Sequence, residues 1–331
     1  MRPALTTALA LGLSLLGGEA QASVLGRLFG RAERRESSTS TERSVRAAPA
    51  LRADESQLGS SVERQDLGAA GVRYRIGTGA PRGTLVFLHG WGGAPGGELF
   101  DRLAEGIATS GGSFTAVAPW LRARGDPAAP HTMSGQLALA RAAIAALPGP
   151  VVLVGHSFGG KAALALAKEL PSKVVGVVGL APSVNMAHAY WKGLTGERGL
   201  PSPARMLETY AVEEHKLEAE LAALPETDSE RAHEIRSALA DLRFQKDLAR
   251  YDEPALESHL ATPTLVFHGT EDGAVSIHYA RRFAETNADR VRLVELPGEG
   301  HGLADAVGAI ASEVTAFADA RFASSVSRGQ P

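Results

Sequence analysis

The segment Val151-Val152-Leu153-Val154-Gly155-His156-Ser157-Phe158-Gly159-Gly160 sets the terms for everything around it. Four apolar residues, three of them β-branched, predict a short buried strand. The run that follows, Lys161-Ala162-Ala163-Leu164-Ala165-Leu166-Ala167-Lys168-Glu169-Leu170, is rich in strong helix formers. Strand, Gly-x-Ser-x-Gly, helix is the arrangement of a nucleophile elbow, in which a serine sits on a tight turn. Gly155 and Gly159 fit that turn, because side chains there would press strand against helix and displace Ser157. Ser157 then stands at a helix N-terminus, where the dipole and backbone N–H groups favour a developing oxyanion.

Upstream, strands and helices alternate. Val72-Arg73-Tyr74-Arg75-Ile76 alternates apolar and basic residues, as an exposed antiparallel strand does. Thr84-Leu85-Val86-Phe87-Leu88 is continuously apolar and predicts a central strand. It runs into His89-Gly90-Trp91-Gly92-Gly93, where glycines, Gly90 first, leave backbone N–H groups uncovered. The expected oxyanion donors are the N–H of Trp91 and the N–H of Phe158, the residue after the nucleophile. His89 is expected to brace this loop. A helix over Leu99–Thr109, a strand over Phe114–Pro119, a loop over Leu121–Pro130 and a helix over Ser134–Leu147 complete the approach to the elbow. This alternation predicts an α/β fold, a mainly parallel sheet flanked by helices.

From about Val72 to Phe317 the chain resembles an α/β-hydrolase, of the branch with His-Gly-x-Gly-Gly after the third strand and Gly-His-Ser-Phe-Gly-Gly at the elbow. Relatives carry an aspartate after the proline of the Ala-Pro-x-Leu-Arg segment. Here that position is Trp120, a change that bears on loop packing or the pocket wall.

After the strand Lys173–Leu180 the alternation stops. Ser202-Pro203 opens a helix carrying Met206, Tyr210, Leu217, Leu221 and Leu224. Thr227-Asp228-Ser229-Glu230 reads as a capping box before Ala232, Ile235, Leu239 and Leu242. The resemblance implies that residues 183–261 form a helical cap or lid that closes over Ser157. His188, His215, His233 and His259 lie in this stretch without paired ligand spacing, and no metal site is expected there. Pro263–Phe267 is again a strand, followed by His268-Gly269-Thr270-Glu271-Asp272. The resemblance assigns the catalytic acid to Asp272, in Gly-x-x-Asp form, with Glu271 facing elsewhere. After a last strand, Val291–Leu296, comes Pro297-Gly298-Glu299-Gly300-His301-Gly302. The resemblance places the base at His301. The order Ser157, Asp272, His301 is that of an α/β-hydrolase. Ala304–Ala320 predicts a closing helix, and 324–331 a disordered tail.

The front of the chain reads differently. Arg2, an apolar run from Ala4 to Leu16, and Ala20-Gln21-Ala22 before Ser23 have the shape of a secretory signal peptide over 1–22. An uncleaved anchor is the alternative, although the run is shorter than the ~20 residues that span a bilayer. Residues 23–61 are rich in Arg, Ser, Thr and Glu and read as a disordered linker. Val24, Leu25, Leu28 and Phe29 beside Arg27 and Arg31 leave open an amphipathic turn on an anionic membrane. The hydrolase core is therefore expected over 62–182 and 262–323, in a periplasmic or secreted protein with no stable span after cleavage.

Composition narrows the chemistry. The 331 residues hold no cysteine, which excludes thiol catalysis, disulfides and cysteine-ligated zinc. A net charge of −3 gives no pull toward nucleic acid. The expected activity is hydrolysis of a carboxylic ester or related small acyl substrate through an acyl-enzyme, with no cofactor and no metal. The same triad also serves amides, thioesters and carbon–carbon bonds in capped relatives, and a non-catalytic binding protein on this scaffold is the reading from another class. Acyl-chain length and oligomeric state are not legible.

Overall fold

Eight strands form one sheet in the order β1-β2-β4-β3-β5-β6-β7-β8: β1 Val62–Asp66, β2 Val72–Ile76, β3 Thr84–Leu88, β4 Phe114–Ala118, β5 Val151–His156, β6 Val174–Leu180, β7 Thr264–Gly269 and β8 Val291–Leu296. The computed structural model describes residues 61–91, 93–121, 132–184, 202–225, 228–251 and 260–328. The signal segment, residues 23–60 of the linker, most of the 121–130 loop, Gly92, Thr227, His188 and His259 lie outside the described residues. β1, β2 and β4 pair antiparallel, and every pairing from β4 through β3, β5, β6 and β7 to β8 is parallel. The mainly parallel α/β sheet expected from the sequence is the one present. β1 and the helix Ile277–Thr286 are additions to that reading. The strand VERQD is too polar and too short to announce itself, and it pairs along an edge where Glu63 and Asp66 face solvent while Arg64 turns in to Asp101.

Among the described residues there are seven helices: α1 Glu98–Thr109, α2 Met133–Ala145, α3 Phe158–Glu169, α4 Pro203–Ala223, α5 Ser229–Leu248, α6 Ile277–Thr286 and α7 Val307–Arg328. β5 is buried along Val151–Gly155, and α3 is buried at every residue from Phe158 to Ala167. A helix buried all round has no polar face to pattern, which explains its Ala/Leu composition. The main core joins Leu85, Phe87, Val152, Val154, Val178 and Phe267 of the sheet to Phe100, Leu103 and Ile107 of α1 and to Ile310, Val314 and Phe322 of α7.

α7 departs from expectation at both ends. It starts at Val307 rather than Ala304, after a turn in which Leu303 takes φ 53°. It then runs past Ala320 into the 324–331 stretch read as a disordered tail. Phe322 is buried and its ring lies 6.1 Å from that of Phe114, and the Ser324 hydroxyl donates to the Ala320 carbonyl at 2.8 Å. A serine-rich end looks like a tail in sequence, but serines that bond back one turn continue a helix.

α4 and α5 lie between β6 and β7 in the chain and make one compact unit, while the sheet and the other five helices make a second. In the helical unit Met206, Tyr210, Leu242 and Ala249 cluster, with Leu207 and Leu217 against them. The N-cap of α5 is Asp228, whose carboxylate accepts from the Arg231 N–H at 3.2 Å, and not Thr227 as the capping box implied. Aspartate outranks threonine as a cap, and Ser229 already has helical geometry. His215 and His233 are exposed.

Candidate active site

Parallel strands put all their C-terminal ends at one edge. In the register, Leu88 of β3 sits beside Gly155, His156 beside Leu180, Leu180 beside Phe267, and Gly269 beside Leu296. The segments just beyond these ends are therefore neighbours: Gly90-Trp91, Ser157, Ser183, Asp272 and His301.

Ser157 is the N-cap residue of α3 at φ 53°, ψ −119°, a backbone conformation that costs a non-glycine residue about 1–3 kcal/mol and persists only where its surroundings enforce it. They do. The Ser157 N–H donates to the Leu180 carbonyl at 2.8 Å, and its own carbonyl accepts from Ser183 at 3.0 Å and from Gly160 at 2.9 Å. A Cβ on Gly159 would stand 1.9 Å from the Leu88 carbonyl oxygen, and one on Gly155 would stand 2.2 Å from that of Gly159. Both glycines are there because three backbones meet where side chains would be. Gly90 faces the serine directly: a Cβ there would lie 3.2 Å from the Ser157 Cβ. The Trp91 ring meets the Phe158 ring edge-on at 5.6 Å, so the two segments assigned as oxyanion donors are in contact. The first N–H groups of a helix have no acceptor within it, which makes the head of α3 suited to an anion.

Asp272 lies in the turn after β7 with its side chain wholly buried. Its Oδ1 accepts from the Ala274 N–H at 2.9 Å and the Val275 N–H at 2.8 Å, and its Oδ2 accepts from His301 Nδ1 at 2.8 Å. Burial alone would push this carboxyl up. The hydrogen bonds from His268 and His301, the charge of His301 and the Val275 N–H outweigh it and hold the group well below the usual carboxylate range. Asp272 is thus an anion at any working pH, and Glu271 next to it is exposed.

His301 must travel to reach this place. β8 is three strands from β5, roughly 14 Å at normal strand spacing. The loop after Leu296 closes the gap by folding back over the end of β7. The Glu271 N–H donates to the Glu299 carbonyl at 3.0 Å, and the Gly298 N–H donates to the Thr270 hydroxyl at 2.9 Å. A Cβ on Gly269 would sit 2.1 Å from the Glu299 oxygen, so that glycine is what lets the loop pass. At its far end the His301 carbonyl bonds His156 Nε2 at 3.0 Å, and the two imidazoles lie 5.0 Å apart. His156 is the residue before Ser157. Burial and the neighbouring His301 push its pKa down to about 4, so it is neutral and donates to the carbonyl. The structure thus brings Asp272 and His301 together and ties His301 to the neighbour of Ser157.

His89 has the bracing role expected of it. Its Nε2 accepts from the Leu121 N–H at 3.3 Å, so its Nδ1 carries the hydrogen and donates to the Gly90 carbonyl at 2.9 Å. Burial lowers its pKa. Trp120, which departs from the aspartate of relatives, donates from Nε1 to the Gly68 carbonyl at 3.1 Å and meets His89 edge-on at 6.1 Å. It packs the loop.

The family model described as "Alpha/beta hydrolase family" matches residues 85–313, more than half of the chain and both halves of the site. The chain belongs to the alpha/beta hydrolase family. No curated protein matches it. Solved structures with the same fold include Est1E from Butyrivibrio proteoclasticus, at 15% identity and TM-score 0.53, covering 80% of this chain and 100% of that one. A monoacylglycerol lipase from Paleococcus ferrophilus matches at 19% identity and TM-score 0.51, covering 75% and 98%. The esterase EaEST from Exiguobacterium antarcticum matches at 19% identity and TM-score 0.50, covering 76% and 97%. At such identities the likeness is one of fold. This alpha/beta hydrolase has no helix among its described residues that is long and apolar enough to cross a membrane. Those residues also hold no cluster of three or more side chains suited to a metal ion.

Three members of the site escaped the sequence reading. Ser183 has a wholly buried hydroxyl that bonds the Ser157 hydroxyl at 3.2 Å. It follows β6 at the same edge, so sheet order was the signal that could have found it. His156 was visible only as part of the elbow motif. His268, wholly buried in β7, places Nε2 2.8 Å from the Val275 carbonyl and 3.2 Å from Asp272 Oδ2.

Proposed function

We propose that this hydrolase cleaves a carboxylic ester of a small acyl substrate through an acyl-enzyme on Ser157, with His301 as general base and Asp272 as its partner. The observation that carries the reading is the buried Asp272 carboxylate, held by the Ala274 and Val275 N–H groups and bonded to His301 Nδ1, beside a strained elbow serine.

With Nδ1–H donated to Asp272, the lone pair of His301 is on Nε2. That nitrogen removes the Ser157 proton as Oγ attacks the ester carbonyl, and Asp272 stabilises the imidazolium that forms. The carbonyl oxygen becomes an anion at the head of α3, taken by the N–H groups of Trp91 and Phe158. Each such donor is worth roughly 3 kcal/mol of barrier. The imidazolium then protonates the departing alcohol. The acyl group stays on Oγ until water, activated by the same ring, releases the acid and restores the serine. Before substrate arrives, Ser183 holds the Ser157 hydroxyl.

The test is Ser157→Ala assayed on short p-nitrophenyl esters. Turnover is expected to fall by a factor on the order of 10⁴ or more with the thermal transition unchanged. Wild-type turnover in the variant sinks the mechanism. We further propose export through residues 1–22. The mature protein is expected to begin near Ser23 by mass spectrometry, and a mature chain beginning at Met1 refutes it.

A further inference from the structure

We propose that His268 is a positioning residue for the acid–base pair, its ring N–H aiming the Asp272 carboxylate at His301. This rests on the triad reading above and adds a fourth side chain to it.

The argument begins with an orphan. His268 has no exposed surface, and its Nδ1 is buried without a hydrogen-bond partner among the described residues. A buried polar atom left unpaired is costly, and a leucine or phenylalanine in this strand would avoid it. The compensation lies at the other nitrogen. Nε2 faces two acceptors, so it carries the hydrogen: it donates to the Val275 carbonyl at 2.8 Å and sets that polarised N–H 3.2 Å from Asp272 Oδ2.

That placement does something the backbone does not. The Ala274 and Val275 N–H groups both hold Oδ1, and neither bonds Oδ2. Oδ2 is the oxygen that receives His301. His268 grips this second oxygen and, through the Val275 carbonyl, the far end of the same turn. It therefore fixes where Oδ2 points. It also draws on the charge that Oδ2 offers to His301. The charged and titratable groups around this centre are His301 from the loop after β8, His156 from the end of β5, and Glu295 on β8, which is itself paired with Arg281 of α6. None of these others bonds Oδ2 from the β7 side.

Two effects follow from removing the donor. Oδ2 loses its aim, and its remaining charge falls more fully on the His301 imidazolium. The test is kcat, KM and the pH profile of kcat/KM on p-nitrophenyl butyrate for the full chain and for His268→Phe and His268→Gln. The phenyl ring removes both nitrogens, while the glutamine amide reaches the place of Nε2. For the Phe variant kcat is expected to fall about tenfold or more with KM little changed. Its acid limb is expected to move up by roughly half a pH unit. Glutamine is expected to restore most of both. A Phe variant with wild-type kcat and an unmoved limb overturns the proposal, provided Ser157→Ala is inactive in the same assay. A wild-type protein without Ser157-dependent turnover overturns the triad reading, and the proposal with it. Should the Phe variant fail to fold, the comparison passes to His268→Gln against His268→Asn, whose shorter amide stops near Nδ1. Equal rates and limbs for that pair overturn the proposal, and a slower Asn variant with a raised limb supports it.

Discussion

The two halves of the active site are held by different means. On one side, β5, Ser157 and α3 are locked by backbone sterics: the strand and the helix touch through glycines, and nothing there can move without unseating the sheet. On the other side, Asp272 and His301 ride on two turns stitched by side-chain and loop hydrogen bonds, with exposed residues such as Glu271 and Gly298 between them. Ser157 is placed by the core of the fold, whereas Asp272 and His301 are placed by polar contacts at its rim. Disturbing the first half is expected to cost stability. Disturbing the second is expected to cost activity while the fold survives.

A methyl group tests this most sharply. Gly159→Ala drives a Cβ into the Leu88 and His89 carbonyls, at 1.9 and 2.6 Å, and is expected to destabilise the protein by about 3 kcal/mol or more. Gly269→Ala drives its Cβ into the Glu299 and Gly300 backbone, at 2.1 and 2.8 Å, in a loop held by hydrogen bonds rather than by the core. It is expected to cost about 1 kcal/mol, yet to lower kcat/KM by on the order of 10²-fold, because the displaced loop carries His301. Denaturant midpoints and ester kinetics on the pair decide it, and equal losses of stability in both variants would break the contrast.

A smaller effect sharpens the same contrast by pH. Burial and the neighbouring His301 hold the pKa of His156 down at about 4 in the folded chain, against the ordinary histidine value of 6.5 in the unfolded one. Its folded-state pKa is depressed, so the unfolded chain takes the proton first as pH falls. Stability is expected to be full above about 6.5 and to decline between 6.5 and 4. Asp272, also depressed, contributes its loss at lower pH, beginning in the ordinary carboxylate range where the unfolded chain takes the proton and continuing below it. Thermal melts from pH 7 to 4.5 are expected to fall less steeply for His156→Gln than for wild type, and parallel slopes would remove His156 as the cause.

The smallest effect belongs to Ser183→Ala. Its hydroxyl holds Ser157 only in the resting arrangement, so kcat is expected to change a few-fold at most and the fold not at all. A loss of a hundredfold or more in single-turnover rate would move Ser183 from the resting state into the reaction itself.

Legibility followed the same line. The elbow could be read because its constraints are local: a β-branched strand, two glycines at van der Waals contact and an Ala/Leu helix all lie within twenty residues. The strands β3, β4, β6, β7 and β8 were readable for a similar reason, since each is a short apolar run with a turn at its end. β1 and the last turns of α7 were not, because polar residues there gain their structure from a neighbouring strand, from Phe322 in the core and from serines bonding back.

By itself, then, the amino-acid order determined the parallel α/β layout, the elbow at Ser157 and, through the family resemblance, which aspartate and histidine to look for. Only the folded sheet decided that the loop after Leu296 doubles back across β7, that His156 catches its far end, and that Ser183 and His268 stand beside Ser157 and Asp272. The physical reason is range. Steric rules act between residues a few positions apart and leave a mark in composition, whereas a hydrogen bond across 145 positions, like that of the His156 ring to the His301 carbonyl, leaves none until strand order makes them neighbours.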